Sequence, residues 1–174
     1  MKTTTLLCAT LCLTLPMASF AEVPKIQTTG PIIHLADNLD EAEMLGWCID
    51  TEGRELSDTL HAHSCKPVGD DVLFTYDADS GAIGSATYFG LCMSYNAPQN
   101  TKNPFGLIVC DQADETQRFV YDDASMEIRL GMDTSQCVTV SPTIDNAGPY
   151  QSRDLILAAC DSLETRFKQW VIQR

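Results

Sequence analysis

Short apolar runs recur along the whole chain, separated by turn-forming residues. The runs are rich in β-branched and aromatic residues, and Gly, Pro, Asn, Asp and Ser lie between them. Runs of this length and composition predict β-strands rather than helices. Twelve strands are predicted, in the segments PIIHLA, GWCID, TLHAHSC, LFTYD, AIGSATY, GLCMSY, FGLIVC, RFVYD, EIRLGM, QCVTVS, DLILAAC and QWVI. The segment DNLDEAEML is predicted to be a polar loop, although its composition also allows one helical turn.

A longer apolar run lies at the N-terminus. The run 6–15 follows the positive Lys2 and precedes small residues that end at Ala21, an arrangement typical of a secretory signal peptide. The run is too short to cross a bilayer. We therefore expect a secreted or periplasmic protein with three segments: a signal peptide at 1–21, an N-terminal strand and lead-in loop at 22–44, and a single domain at 45–174.

The exported part is strongly acidic. The full sequence has 24 acidic and 11 basic residues and a net charge of −13, and loss of Lys2 with the signal peptide changes this to −14. An acidic surface repels phosphate backbones and anionic membranes. We therefore expect neither nucleic acid as a partner nor insertion into a membrane.

The six cysteines after the signal peptide form a repeat. Cys48, Cys92 and Cys137 lie 44 and 45 residues apart, and a second cysteine follows each of them after 17, 18 or 23 residues. Nine or ten residues after each second cysteine comes an aromatic residue that we expect in the core: Phe74, Phe119 and Trp170. An even number of cysteines in an exported chain favours three disulfides, but six cysteines allow 15 connectivities.

Three repeats of about four strands, with the N-terminal strand completing the last repeat, predict an all-β fold, the β-trefoil, with pseudo-threefold symmetry. A propeller has a similar repeat length but usually contains at least four blades, and a β-solenoid is the other alternative. The long third interval contains PTIDNAGPY, which its Pro, Gly and Asn residues mark as a loop insertion.

The repeated pattern resembles the ricin B-type (R-type) lectin domain over 45–174. The residues that carry the resemblance are Cys48, Asp50, Cys65, Phe74, YDADSGAI at 76–83, Cys92, Cys110, QRF at 117–119, Cys137, Cys160 and KQW at 168–170. The resemblance implies a non-catalytic protein without a cofactor. It also implies three disulfides within the repeats: Cys48–Cys65, Cys92–Cys110 and Cys137–Cys160.

The segment TLHAHSCK in the first repeat contains two of the three histidines. Side chains alternate along a strand, so His61, His63 and Cys65 share one face, as do Cys48 and Asp50 on the preceding strand. If the implied bridge joins directly opposed cysteines, Asp50 lies opposite His63 with Cβ atoms about 5 Å apart. Such a pair would raise the pKa of His63. The same offset pairs residues without acidic or aromatic side chains in the other repeats: Ser94 with Ile108, and Thr139 with Ala158.

The resemblance implies a carbohydrate site formed by Asp50, His61, His63 and Asp71. A carboxylate accepts hydrogen bonds from sugar hydroxyls, and a flat ring packs against the C–H face of a pyranose. The sequence departs from the family pattern in two places, since His63 stands where a larger aromatic residue is usual, and Asp71 and Val72 replace an Asn-Gln pair. A glycan or glycoconjugate is the expected partner.

Three other interpretations of these residues stay open. The two histidines and two aspartates could bind a metal ion, although none is expected, because the lectin pattern already accounts for their positions. Asp50 beside His63 resembles a catalytic base and its orienting partner, but no serine or free cysteine nucleophile accompanies them. The pair could also be a structural ion pair in a degenerate sugar site. The protein would then be a protein-binding module, such as a toxin accessory subunit or an inhibitor, with contact loops at 94–106 and 142–150.

Overall fold

The computed structural model describes residues 21–52, 59–95 and 104–174, so only Ala21 of the predicted signal peptide is included. These residues form thirteen strands: β1 Ile32–Leu35, β2 Trp47–Thr51, β3 Leu60–Ser64, β4 Phe74–Asp77, β5 Ala82–Ser85, β6 Leu91–Tyr95, β7 Phe105–Val109, β8 Phe119–Asp122, β9 Glu127–Leu130, β10 Asp133–Val140, β11 Asp145–Ala147, β12 Tyr150–Ala159 and β13 Trp170–Gln173. Short 3₁₀ turns span Glu115–Gln117 and Thr165–Phe167. Twelve of the strands overlap the predicted segments, β10 and β12 begin several residues earlier than predicted, and β11 is additional. In the described part of the chain, no helix is long and apolar enough to cross a membrane.

The strands form two sheets, and the chain ends meet in the larger one. Its order is β13-β1-β2-β3-β12-β10-β9-β8, with β11 attached to β12, and the smaller sheet has the order β4-β5-β6-β7. Strand β1 pairs antiparallel with β13, from Ile32 opposite Gln173 to Leu35 opposite Trp170. The N-terminal strand therefore completes the last repeat, as the sequence predicts.

Three equivalent backbone hydrogen bonds relate the repeats. The N–H groups of Phe74, Phe119 and Trp170 donate to the carbonyls of Pro31, Gly81 and Met126 at 3.0, 2.8 and 2.7 Å. All three aromatic side chains are buried, which confirms that they belong to the core. At Gly81, φ is 75° and a Cβ atom would lie 2.6 Å from the Phe119 carbonyl oxygen, so this close approach requires glycine.

The three disulfides join the predicted cysteines, but the predicted strand register is wrong. Cys48 lies opposite His63, and Asp50 lies opposite His61 rather than His63. The same shift of two residues places Ser94 opposite Gly106 and Thr139 opposite Ile156. The cause is that each second cysteine follows the paired segment rather than facing the first cysteine. Cys65, for example, comes after the end of β3, and its N–H donates to the Gly46 carbonyl at 3.0 Å. The disulfide therefore joins diagonal neighbours.

The predicted loop insertion PTIDNAGPY is a β-hairpin instead, and this corrects the sequence prediction. Strand β11 pairs with the start of β12, from Ala147 opposite Tyr150 to Asp145 opposite Ser152. The two-residue turn between them contains Gly148, with φ at 67°, as expected for glycine in a tight hairpin. We call residues 145–152 the third-repeat hairpin. In the other predicted contact loop, 94–106, both ends are strand residues and positions 96–103 lie outside the described residues.

The third-repeat hairpin reaches across to the first repeat. Strand β12 pairs antiparallel with β3, with Ser152 opposite His63 and Asp154 opposite His61. Between them, the buried Arg153 guanidinium donates to the carbonyls of Ser141, Pro142 and Leu39 at 2.9, 2.7 and 2.7 Å. It also stacks over the Trp47 ring, 4.6 Å from its centroid. These contacts fix the hairpin beside the histidine strand.

Candidate functional site

The four predicted site residues come together on one side of the first repeat. Asp50 on β2 and His61 and His63 on β3 share a face, and Asp71 follows from the loop after β3. The cluster also contains Lys66, which sequence reasoning missed. Its Nζ atom lies 2.9 Å from Oδ2 of Asp50 and 2.5 Å from Oδ2 of Asp71. The only sequence signal for Lys66 is its position directly after Cys65, where the chain turns back toward Asp71.

Asp50 is fully buried beneath this cluster and is not among the residues that line the adjacent pocket. Its side chain is 0% exposed, and Oδ1 has no hydrogen-bond partner among the residues that the structure describes. Burial raises the pKa of Asp50 to about 7, although the neighbouring Lys66 ammonium acts in the opposite direction. Asp50 is therefore placed to hold Lys66 in position rather than to contact a ligand.

Both histidines favour the neutral form. Burial lowers the pKa of His61 to about 4, and burial also lowers the pKa of His63, despite the hydrogen bond between its Nδ1 and the Ser64 carbonyl at 2.9 Å. The predicted rise in the pKa of His63 is therefore wrong. Its Nδ1 lies 3.7 Å from the Asp50 carboxylate, but the loss of hydration on burial is the largest influence on its pKa. Nε2 of His61 is buried and has no hydrogen-bond partner within the described ranges.

A pocket of about 470 Å³ opens above the cluster. On one side the pocket is lined by His61 and His63 of β3 and by Lys66, which follows Cys65. The third-repeat hairpin forms the opposite side. Its lining residues are Glu52, His61, His63, Lys66, Asn146, Ala147, Gly148, Pro149, Tyr150 and Ser152. We call this the first-repeat pocket. Sequence patterns do not predict the hairpin wall, because its six lining residues are about 85 positions away from β3 in the chain.

The equivalent positions of the other repeats lack this chemistry. Where the first repeat has Asp50 and His61, the second has Ser94 and Gly106, and the third has Thr139 and Ile156. None of these side chains carries a charge or an aromatic ring. The polar cluster is therefore specific to the first repeat.

A metal centre is not favoured by the geometry. Within the described residues, the ligand atoms of Glu127, Cys137 and Cys160 converge to within 4.8 Å, and the two histidines and Asp50 do not form such a group. Cys137 and Cys160 are joined in a disulfide, so their sulfur atoms are not free to bind a metal as thiolates.

This chain is similar to known proteins in structure but not in sequence. No protein-family model matches the sequence, and no curated protein matches it. The C-half of the earthworm R-type lectin, in complex with GalNAc, has a TM-score of 0.56 at 14% identity, over 82% of this chain and 96% of that one. A chain of the cytolethal distending toxin from Actinobacillus actinomycetemcomitans has a TM-score of 0.54 at 15% identity, over 81% and 89% of the two chains.

GalNAc-T7, solved with UDP, GalNAc and Mn²⁺, has a TM-score of 0.54 at 17% identity, over 87% of this chain. The match spans only 23% of the length of that protein. At these identities the likeness is one of fold. Each of the three repeats contains one disulfide, and β1 pairs with β13 to join the first and last strands. Together with the structural matches, these features show that the chain has the β-trefoil fold of the R-type lectins.

Proposed function

We propose that this protein binds a neutral carbohydrate, without catalysis, in the first-repeat pocket. The observation that carries the proposal is the convergence of several hydrogen-bonding groups beside an aromatic ring in a pocket of about 470 Å³. This volume lies within the range of about 300–1,000 Å³ that is usual for small-ligand sites.

Sugar hydroxyls both donate and accept hydrogen bonds, and the pocket offers both kinds of partner. Lys66 supplies a charged donor, while the Ser152 hydroxyl and the Asn146 amide can act in either sense. The Glu52 carboxylate is an acceptor. In this arrangement Asp50 and Asp71 act through Lys66, since both hold its ammonium group. Asp50 thus has a positioning role in place of the direct contact that the sequence suggested.

The charge balance favours a neutral ligand over an anionic one. The Lys66 ammonium group is already paired with the Asp71 carboxylate at 2.5 Å, Glu52 adds a negative charge at the rim, and the whole chain has a net charge of −13. A sulfated or carboxylated sugar would therefore meet a repulsive field. The fold supports a sugar ligand, because the earthworm lectin with the same fold was solved with GalNAc bound.

Glycan-array screening and titration calorimetry test the proposal. We expect neutral glycans to bind with a Kd on the order of 0.1–1 mM, because a mono- or disaccharide buries few atoms. Lys66→Met should weaken binding at least tenfold. Lys168→Met is the matched control, since Lys168 also forms a buried ion pair, with Glu127 at 3.0 Å, but does not line the pocket. Absence of binding to any neutral glycan, or equal binding by both variants, would contradict the proposal.

Protein binding is a second candidate, and two exposed apolar side chains favour it. Phe89 is 89% exposed and Val109 is 72% exposed, and the Cys110 N–H donates to the Gly90 carbonyl at 2.9 Å, which brings their chain segments together. In this case a protein partner would be lost on Phe89→Ser and retained on Lys66→Met in a pull-down, and the glycan array would be blank.

A further inference from the structure

The first-repeat pocket has one wall that comes from the third repeat, and this wall contains an aromatic ring. Resting on the proposed function, we propose that Tyr150 of the third-repeat hairpin is the platform on which the sugar ring stacks, in place of His63, so that the site spans two repeats. Asn146 and Ser152 on the same hairpin then contribute to the choice of sugar.

His63 is poorly placed to be the platform. Its residue is 7% exposed, and its ring is confined on two sides. The His61 ring lies 5.4 Å away at 41°, and the Tyr150 ring lies 5.6 Å away at 65°, in an edge contact. Stacking requires an open aromatic face of about the size of a pyranose, and an imidazole enclosed by two other rings does not provide it.

Tyr150 has the properties that His63 lacks. It is half-buried, it lines the pocket and it comes directly after the Gly148–Pro149 turn. Its ring touches His63 and is larger than an imidazole. Within the described part of the chain, the structure shows no hydrogen bond for its hydroxyl group. Tyrosine combines an apolar ring with a polar tip, so the same side chain can both stack on a sugar and bond to one of its hydroxyls.

The hairpin is held rigidly, as a binding wall requires. Its backbone is tied to the first repeat by the Gln151 N–H, which donates to Ser64 Oγ at 3.1 Å. The Gln151 side chain accepts from the Ala42 N–H at 2.9 Å. Arg153, two residues further along, has the three carbonyl contacts described above. The ring of Tyr150 is therefore positioned before a ligand arrives, which reduces the entropy that binding costs.

The test compares three substitutions of Tyr150 with a control on the same insertion. The probes are N-acetylgalactosamine and methyl α-galactoside, titrated by calorimetry, together with any neutral glycan that the array selects. Tyr150→Leu keeps apolar bulk against His63 but removes the ring, and we expect binding to weaken about tenfold. Tyr150→Trp should retain or improve binding, and Tyr150→Phe should weaken it at most threefold. Thr143→Ala, which is exposed and does not line the pocket, should bind as wild type.

NMR of the sugar provides a readout that a purely structural role would not change. Stacking shifts the sugar C–H resonances upfield through the ring current, so these shifts should be present with Tyr150→Trp and absent with Tyr150→Leu. If wild type binds a sugar, Lys66→Met weakens it and Tyr150→Leu binds equally well, this inference is refuted while the proposed function stands. If wild type binds none of the neutral probes or array glycans, the proposed function fails and this inference fails with it.

Discussion

The buried Asp50 leads to an unusual prediction for Asp50→Asn, namely that this substitution stabilises the protein increasingly as the pH rises. Asp50 is 0% exposed, and its folded-state pKa is about 7, compared with 3.8 for an ordinary aspartate. Between these two pH values the native state keeps a proton that the unfolded state releases. Unfolding then releases a proton, so wild type loses stability as the pH rises.

The size of the effect follows from the two pKa values. The interval from 3.8 to about 7 covers roughly three pH units, and each unit corresponds to about 1.4 kcal/mol. The free energy of unfolding of wild type should therefore fall by about 4 kcal/mol relative to Asp50→Asn between pH 4 and pH 7.5. Asparagine has the shape of the protonated acid but no proton to release.

A measurement on wild type alone would not reveal this pH dependence, because His61 has the opposite effect on stability. Its folded-state pKa is about 4, compared with 6.5 for an ordinary histidine. The unfolded state therefore binds an extra proton between pH 4 and 6.5, and His61 makes stability rise with pH over that window. The two slopes oppose each other, so wild type should show little change with pH from this pair, and the difference between wild type and Asp50→Asn isolates the carboxylate.

Urea unfolding at four pH values between 4 and 7.5, with disulfides intact and tryptophan fluorescence as the signal, measures this difference. Asp161→Asn, at an exposed position, controls for the general effect of removing one negative charge from an acidic protein. A difference between Asp50→Asn and wild type that stays constant with pH would refute the reasoning. A difference of opposite sign would show that attraction to Lys66 outweighs burial and keeps Asp50 ionised.

Two further predictions concern the contacts between repeats. Arg153→Ala should lower the free energy of unfolding by about 3 kcal/mol or more, because it removes three charge-assisted hydrogen bonds. In the same denaturation assay Arg166→Ala, which removes a partly exposed ion pair with Glu164 and a contact with the Phe167 ring, should cost about 1 kcal/mol or less, and equal losses would contradict the anchoring role. Tyr121→Phe should cost about 1 kcal/mol, because the Tyr121 hydroxyl donates to the Trp170 carbonyl at 2.8 Å. Unchanged stability in this variant would mean that the bond between the second and third repeats contributes nothing.

The residue two positions before the core aromatic differs among the three repeats, and the structure shows what each of these residues contacts. Gln117 donates through Nε2 to the Val109 carbonyl at 3.0 Å. Lys168, at the equivalent position of the third repeat, donates through Nζ to the Cys160 carbonyl. Val72, at the equivalent position of the first repeat, packs in an apolar cluster with Cys48 and Cys65. An amide, an ammonium group and an aliphatic side chain thus occupy equivalent positions. Each contacts the second cysteine of its own repeat or the residue beside that cysteine.

The sequence by itself determined the features that depend on local order. Short apolar runs separated by turn-forming residues predicted twelve of the strands, the spacing of the cysteines predicted the three repeats, and the resemblance implied the disulfides that the structure contains. It also placed Asp50, His61 and His63 on one face. Side-chain direction along a strand follows from the chain alone, because it repeats every two residues.

Only the tertiary structure decided the register, the burial and the second wall of the pocket. A shift of two residues leaves every side chain on the same face, so the pattern cannot distinguish Asp50 opposite His63 from Asp50 opposite His61. The pairing of Lys66 with Asp50 and Asp71 depends on how the loop after β3 folds back, and the pKa of Asp50 depends on its burial there. The third-repeat hairpin meets β3 through a contact between residues distant in sequence, such as Ser152 opposite His63. Local periodicity carries no information on such contacts, which is why the residues that complete the pocket emerged from the fold.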